Sequence, residues 1–361
     1  MTFLRPFSVS RAVHITNNRS WPFFHRAGGQ SGIISQWNSV PLAAAETFYG
    51  LFANAANCTS VGCMASKSAA SLATAATDAW AARTHQPDFD GSNNYAPVVD
   101  GAELLATPLQ LTVRGETFRG PVLLGTAADE ICSLEGRDFP FSMSEAEFKA
   151  DTAEEYGPDG VNVSAVVAMY GGRPNASCGC GSPQMPSFCI PCKSKKPYSP
   201  WWWAAIERGS DFGFHCPSAK FAALFGAANP TYLYSYRVLK EQFPGLYCVP
   251  HCSEQGGIFF APSSLDPATP EGQLLLATVH YRISFVRHGD PNVDKLPSAP
   301  EWPPYRPSRA EGDGGGAVLA FAVEGSGESS AAGRKEKIFV ERGYRSEQCQ
   351  YWETLTGHPD H

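Results

Sequence analysis

The sequence predicts an α/β protein, a mostly parallel sheet covered by helices, and three segments carry that reading. Residues 121–126 (PVLLGT) form a short, nearly continuous apolar run ending in glycine, as in a strand buried on both faces of a parallel sheet. Residues 231–238 (TYLYSYRV) are β-branched and aromatic and read as another strand. Residues 269–289 read as a helix, with Thr269 as N-cap and Pro270 in the first turn; Leu275, Val279, Ile283 and Val286 lie along one face, and Gly289, Asp290 and Pro291 form the stop. Alternating strands and helices of this kind favour a layered α/β architecture.

In chain order, 42–54 and the Ala-rich stretch 66–84 read as helices covering the core; Leu72, Ala76 and Trp80 in the second recur at four-residue spacing and form one apolar stripe. Residues 171–200, rich in Gly, Pro, Ser and Cys, read as an irregular insertion. Residues 307–336, rich in Gly, Ser and Glu, read as a mobile loop. The three tryptophans Trp201–Trp203 read as packing beneath the insertion.

A chain of 361 residues can bury a large core, and a single domain is the expectation. There is no apolar run of the ~18 residues that a membrane-spanning helix needs. The net charge of −7 is spread along the chain, and the short basic knot Lys193, Lys195, Lys196 is no phosphate-binding surface, so a nucleic-acid partner is not expected. Eleven cysteines and N-glycosylation acceptors at Asn18, Asn57, Asn162 and Asn175 favour a secretory history. Residues 1–10 lack the pattern of a signal peptide, so a secreted parent would carry its leader outside this sequence.

Two residues stand where acid–base chemistry could be mounted. Glu130 lies just beyond the strand at 121–126, and His251 lies in a loop beyond the strand at 231–238. Taken singly, a Glu after a strand is more often a cap or surface group, and a loop His more often a satisfied structural residue. Their surroundings carry more. Residues 24–37 (FHRAGGQSGIISQW), 96–101 (APVVDG), 122–136 (VLLGTAADEICSLEG), 211–217 (DFGFHCP), 251–254 (HCSE), 287–292 (RHGDPN) with Trp302 and Pro303, and 349–352 (CQYW) occur in one order. In that order they resemble the type-B carboxylesterase and cholinesterase family from about residue 12 onward.

The resemblance implies the C-terminal part of an α/β-hydrolase fold, with residues 1–10 as an unmatched stub and 11–361 as a partial family domain. It implies hydrolysis of small-molecule carboxylic esters through an acyl-enzyme, with no cofactor and no metal. Glu130 and His251 become the acid and base of a Ser-Glu-His relay, in which the imidazole takes the nucleophile's proton and the carboxylate holds its tautomer. Ser31 and Glu254 become buried residues beside the triad, and Trp37 a residue of the acyl pocket. The glycines that follow the acid and the base in the family are replaced by Ile131 and Cys252, which restrict the backbone where glycine allows positive φ or close approach.

The nucleophile segment, a Ser in G-x-S-x-G, is absent from the sequence. Counting back without gaps puts that Ser at Arg5, whose guanidinium offers no nucleophilic lone pair. Ser31 is followed by Ile33 where the motif needs Gly, and Ser8 and Ser10 lack flanking glycines. The oxyanion donors, one of them the N–H after the nucleophile, go with it. The expectation is therefore a chain without esterase turnover: an incomplete gene model, a splice form or a decayed gene. Its sheet is expected to expose an unpaired, aggregation-prone edge, a point that a monodisperse, cooperatively melting monomer would refute. The alternative is a non-catalytic adhesion or binding module of cholinesterase-like build, which would need neither Glu130 nor His251.

Among the cysteines, the resemblance implies the pairs Cys58–Cys63 and Cys216–Cys349. Cys132, Cys248 and Cys252 flank the acid and base and could pair where those segments meet. Cys178, Cys180, Cys189 and Cys192, in the pattern C-x-C-x8-C-x2-C, leave local disulfides, a tetrahedral zinc site and free thiols open.

Overall fold

In the computed structural model, the described residues are 9–35, 38–84, 95–134, 142–157, 160–171, 199–238, 240–243, 246–255, 266–306, 316–325 and 334–354. Nine strands occur among them: β1 (Ala27–Gly28), β2 (Val40–Pro41), β3 (Val98–Val99), β4 (Val122–Ala127), β5 (Thr231–Arg237), β6 (Lys240–Phe243), β7 (Leu246–Cys248), β8 (Ala317–Gly325) and β9 (Arg334–Arg342). The main sheet has the order β1-β4-β5-β8-β9; its first four strands are parallel and β9 runs antiparallel to β8. β2 pairs with β3, and β6 with β7, in two small separate sheets. The result is a mixed, mostly parallel sheet with helices, an α/β fold as predicted.

The apolar runs of β4 and β5 follow from burial on both faces. One face carries Leu123, Tyr232, Tyr234, Leu319 and Phe321 against Leu274, Tyr281 and Phe285 of the helix Pro270–His288. The other carries Val122, Leu124, Leu233 and Val318 against Phe221, Ala222 and Phe225 of the helix Cys216–Gly226. A third cluster gathers Phe148, Tyr156, Trp202, Trp203 and Trp352, so two members of the tryptophan run are core residues.

The helix Pro270–His288 has its expected ends: the Thr269 side chain accepts from the Gly272 N–H, and Gly289 caps the C-terminus at φ +76°. Its predicted face is corrected in part. Leu275 and Val279 are buried, but Ile283 and Val286 are 46% and 67% exposed, because the aromatic rings of Tyr281 and Phe285 bury more surface and set the helix's rotation. In the helix Ala69–Thr84 the buried line is Ala75, Ala79 and Arg83, rather than Leu72, Ala76 and Trp80. Alanines let this helix approach Leu42–Ala55 closely, whereas Trp80 is too bulky for that seam. The loop at 307–336 is also corrected: β8 lies wholly within it and β9 begins at Arg334. Its glycine-rich flanks masked seven consecutive apolar residues, Ala317–Val323, that supply the fourth parallel strand. Nearly all of the insertion at 171–200 lies outside the described residues, with its four cysteines.

Candidate active site

β4 runs out at Ala127 into a tight 3-10 turn, Glu130–Ser133, and this turn points the Glu130 side chain back over the strand end. Glu130 is fully buried, and its Oε1 accepts the Ala127 N–H at 2.7 Å. Its Oε2 lies 2.7 Å from Nδ1 of His251, whose backbone N–H donates to the Glu130 carbonyl at 3.1 Å. The side chain of His251 is 23% exposed, and the Phe214 ring lies beside the imidazole with centroids 5.5 Å apart. With Nδ1 committed to the carboxylate, Nε2 is the nitrogen left for proton exchange. Burial acts to lower the pKa of His251, but the Glu130 carboxylate and the neighbouring Cys252 sulfur outweigh it and raise the value to about 10.

The turn that carries Glu130 and the loop that carries His251 are joined at four further points. The Asp129 N–H donates to the Val249 carbonyl at 2.9 Å, and the Val249 N–H returns a bond to Asp129 Oδ2 at 2.8 Å. A disulfide links Cys132 to Cys248, and the backbone bond from His251 to Glu130 completes the set. Burial pushes the Asp129 carboxyl up to about 7, the Val249 N–H opposes that shift, and Glu207 adds to it.

Glu254 is buried, three residues beyond His251. Its Oε1 accepts the Tyr234 hydroxyl at 2.9 Å, with Gln30 Nε2 at 3.5 Å, and its Oε2 has no hydrogen-bond partner among the described residues. Burial first, and the Glu130 charge second, raise its pKa. Ser31 is buried with φ +55°, and its N–H donates to the Gly125 carbonyl at 2.8 Å, so the Q-S-G segment is pinned to β4 near the pair. Trp37 lies outside the described residues, as does Arg5.

The two replaced glycines differ. Cys252 sits at φ +70°, in the left-handed region, and its thiol is free and exposed. Ile131 has no positive φ; its Cδ1 would lie 2.4 Å from a Cβ at Gly209, so the absence of a side chain on helix Pro200–Ser210 makes room for it. The pairs Cys58–Cys63 and Cys216–Cys349 form as the resemblance implied.

Several partners of the pair had no role in the sequence reading. Gly125 faces the Tyr234 ring so closely that a Cβ there would lie 2.1 Å from it; this approach lets the Tyr234 hydroxyl reach Glu254. Behind the turn that carries Glu130, Asp211 accepts from Tyr170 at 2.8 Å, from Arg345 Nε at 2.8 Å and from His215 Nδ1 at 2.8 Å. Burial disfavours the Asp211 charge, but Arg345 and His215 outweigh it and lower its pKa. His215 Nε2 in turn lies 2.8 Å from the Ala127 carbonyl oxygen. Ala127 is thus held from one side by this network and holds Glu130 from the other. Asp129 was visible as the first member of the Asp-Glu pair, whereas Tyr234 and His215 become visible only when β4, β5 and the segment Asp211–His215 are packed together.

Compared with known families, the sequence model described as the carboxylesterase family matches residues 8–352.

Proposed function

This chain belongs to the carboxylesterase family, and on that premise we propose that Glu130 and His251 are the acid and base of a Ser-Glu-His ester hydrolase working through an acyl-enzyme. The observation that carries the reading is the 2.7 Å bond between a fully buried carboxylate and the Nδ1 of a partly exposed imidazole. In such a relay the hydroxyl nucleophile gives its proton to His251 Nε2 and attacks the ester carbonyl, and the alcohol leaves with that proton. Water then cleaves the acyl-enzyme by the same path, and Glu130 stabilises the imidazolium in both halves. The substrate class is a small-molecule carboxylic ester.

The 361 residues contain no G-x-S-x-G, and we infer that this chain by itself does not turn esters over. Removing the nucleophile together with an oxyanion donor takes away both large catalytic contributions. Hydrolysis of p-nitrophenyl butyrate is expected at the level of buffer; turnover that His251→Ala abolishes would overturn the inference of inactivity. Three disulfides among the described residues and the family are in keeping with an extracellular protein, as are the four acceptor asparagines. No helix among the described residues is long and apolar enough to cross a membrane.

A further inference from the structure

Two of the three disulfides among the described residues are the pairs that the family resemblance implied; the third, Cys132–Cys248, is not, and it lies between the acid and the base. Cys132 is two residues beyond Glu130 in the same 3-10 turn, and Cys248 ends β7 three residues before His251. Both cysteines are fully buried.

The two segments are anchored very differently. The acid turn follows directly on β4, a strand paired on both sides in the main sheet. It is held again by Ile131 packed over Gly209 and by the Ile131 N–H to Ser210 Oγ at 3.4 Å. The base loop instead follows the hairpin β6–β7, whose strands among the described residues pair with each other and with no strand of the main sheet. Among the described residues its hydrogen bonds to the acid turn are the two Asp129–Val249 bonds and the two Glu130–His251 bonds, and Glu254 further along ties it to Tyr234 of β5. One of these depends on the carboxyl of Asp129, which titrates near neutrality. The pairing of β4 with β5 already sets Ala127 beside Tyr236, and the bridge closes the shorter excursion from there through β6 and β7 back to the turn at Cys132.

We propose that Cys132 and Cys248 are positioning residues: their disulfide tethers the base loop to the acid turn and keeps Nδ1 of His251 in contact with the Glu130 carboxylate. The proposal rests on the reading of Glu130 and His251 as an acid–base pair. A bridge that served stability alone would leave the local electrostatics of the imidazole alone once the fold was intact; a positioning bridge would not.

The test is an NMR titration of the His251 ring in the whole chain. In the wild type its pKa is expected well above the ordinary histidine value of about 6.5, and Glu130→Gln is expected to bring it down; no effect of Glu130→Gln would defeat the acid–base reading itself. In the double variant Cys132→Ala/Cys248→Ala the pKa is expected to fall by more than one unit. In Cys216→Ala/Cys349→Ala, which removes a bridge elsewhere, it is expected to stay where it was. Should that double variant fail to fold, the same titration is run on wild type whose Cys132–Cys248 bridge has been opened by dithiothreitol, which supplies the two electrons and two protons. Alkylation and mass spectrometry then identify the freed thiols, and circular dichroism verifies the retained fold. A His251 pKa that responds to Glu130→Gln but not to loss of the bridge, or that falls equally with either pair of cysteines, overturns the positioning role while leaving the acid–base pair standing.

Discussion

Restoring the family's glycine at positions 131 and 252 should have opposite effects, because the two side chains stand in different backbone conformations. Cys252 at φ +70° bears the steric cost of a left-handed residue, roughly 1–2 kcal/mol, against about 0.4–1 kcal/mol by which glycine loosens the unfolded chain. Cys252→Gly is therefore expected to stabilise by up to about 1 kcal/mol in urea unfolding. Ile131→Gly has no strain to relieve and empties the space over Gly209, so a loss of roughly 2–5 kcal/mol is expected in the same measurement. Asp129 gives a pH signature of its own. Its folded pKa of about 7 lies above the unfolded value of 3.8, so the stability it contributes is complete below about pH 4 and is lost as pH rises through 7. Asp129→Asn keeps an acceptor for Val249 without a charge. Its melting temperature relative to wild type is expected to rise from pH 5 to pH 8, at no more than roughly 1.4 kcal/mol per pH unit. A flat difference would show that the carboxyl does not titrate there.

At the scale of elements, β4 and β5 act on the site through a single close approach. Because Gly125 has no side chain, the Tyr234 ring lies flush on β4 and its hydroxyl reaches Glu254. Gly125→Ala would drive a methyl group into that ring, and neither strand can shift, since β4 and β5 are in register over six residue pairs and each has a further strand beside it. A destabilisation of about 1–3 kcal/mol from overpacking is expected, with a changed near-ultraviolet dichroism as the displaced tyrosine loses its hydrogen bond. Tyr234→Phe, which removes only the hydroxyl, should keep that spectrum closer to wild type. The segment Asp211–His215 carries a compact charge network that reaches the end of β4 through the bond from His215 to the Ala127 carbonyl.

Across the whole molecule, Cys216–Cys349 joins the helix Cys216–Gly226 to the C-terminal helix Ser346–Glu353 and closes 133 residues of chain. Loop entropy sets the contribution of such a bridge near 5 kcal/mol as an upper value. Cys216→Ala/Cys349→Ala should lower the guanidinium midpoint accordingly. The loss is expected to be less than that value, because Trp352 stays packed against Tyr156 and Phe212 and its Nε1–H still donates to Tyr170 at 2.8 Å. An unchanged midpoint would mean that the aromatic cluster alone holds the terminus.

The family resemblance implied the pairs Cys58–Cys63 and Cys216–Cys349 and pointed to Glu130 and His251; from the sequence's own patterns came the layered α/β class, the strands at 121–126 and 231–238, and the ends of the helix after Thr269. Each rests on a local pattern: an apolar run, a cap, or a short motif readable in one stretch of chain. Tertiary packing decided which helix faces are buried, because that depends on the partner surface and not on the helix's own periodicity; hence Tyr281 and Phe285 turn inward where Ile283 and Val286 do not. It also decided that Ala317–Val323 is a strand, since a short apolar run between glycine-rich flanks acquires a structure only when β5 offers it an edge. Packing brought Tyr234 to Glu254 and His215 to Ala127, and it chose Cys248 over Cys252 as the partner of Cys132, contacts between segments from 20 to 116 residues apart. The chemistry of the pair is written in single residues; its geometry is set by long-range contacts whose partners no local stretch of sequence specifies.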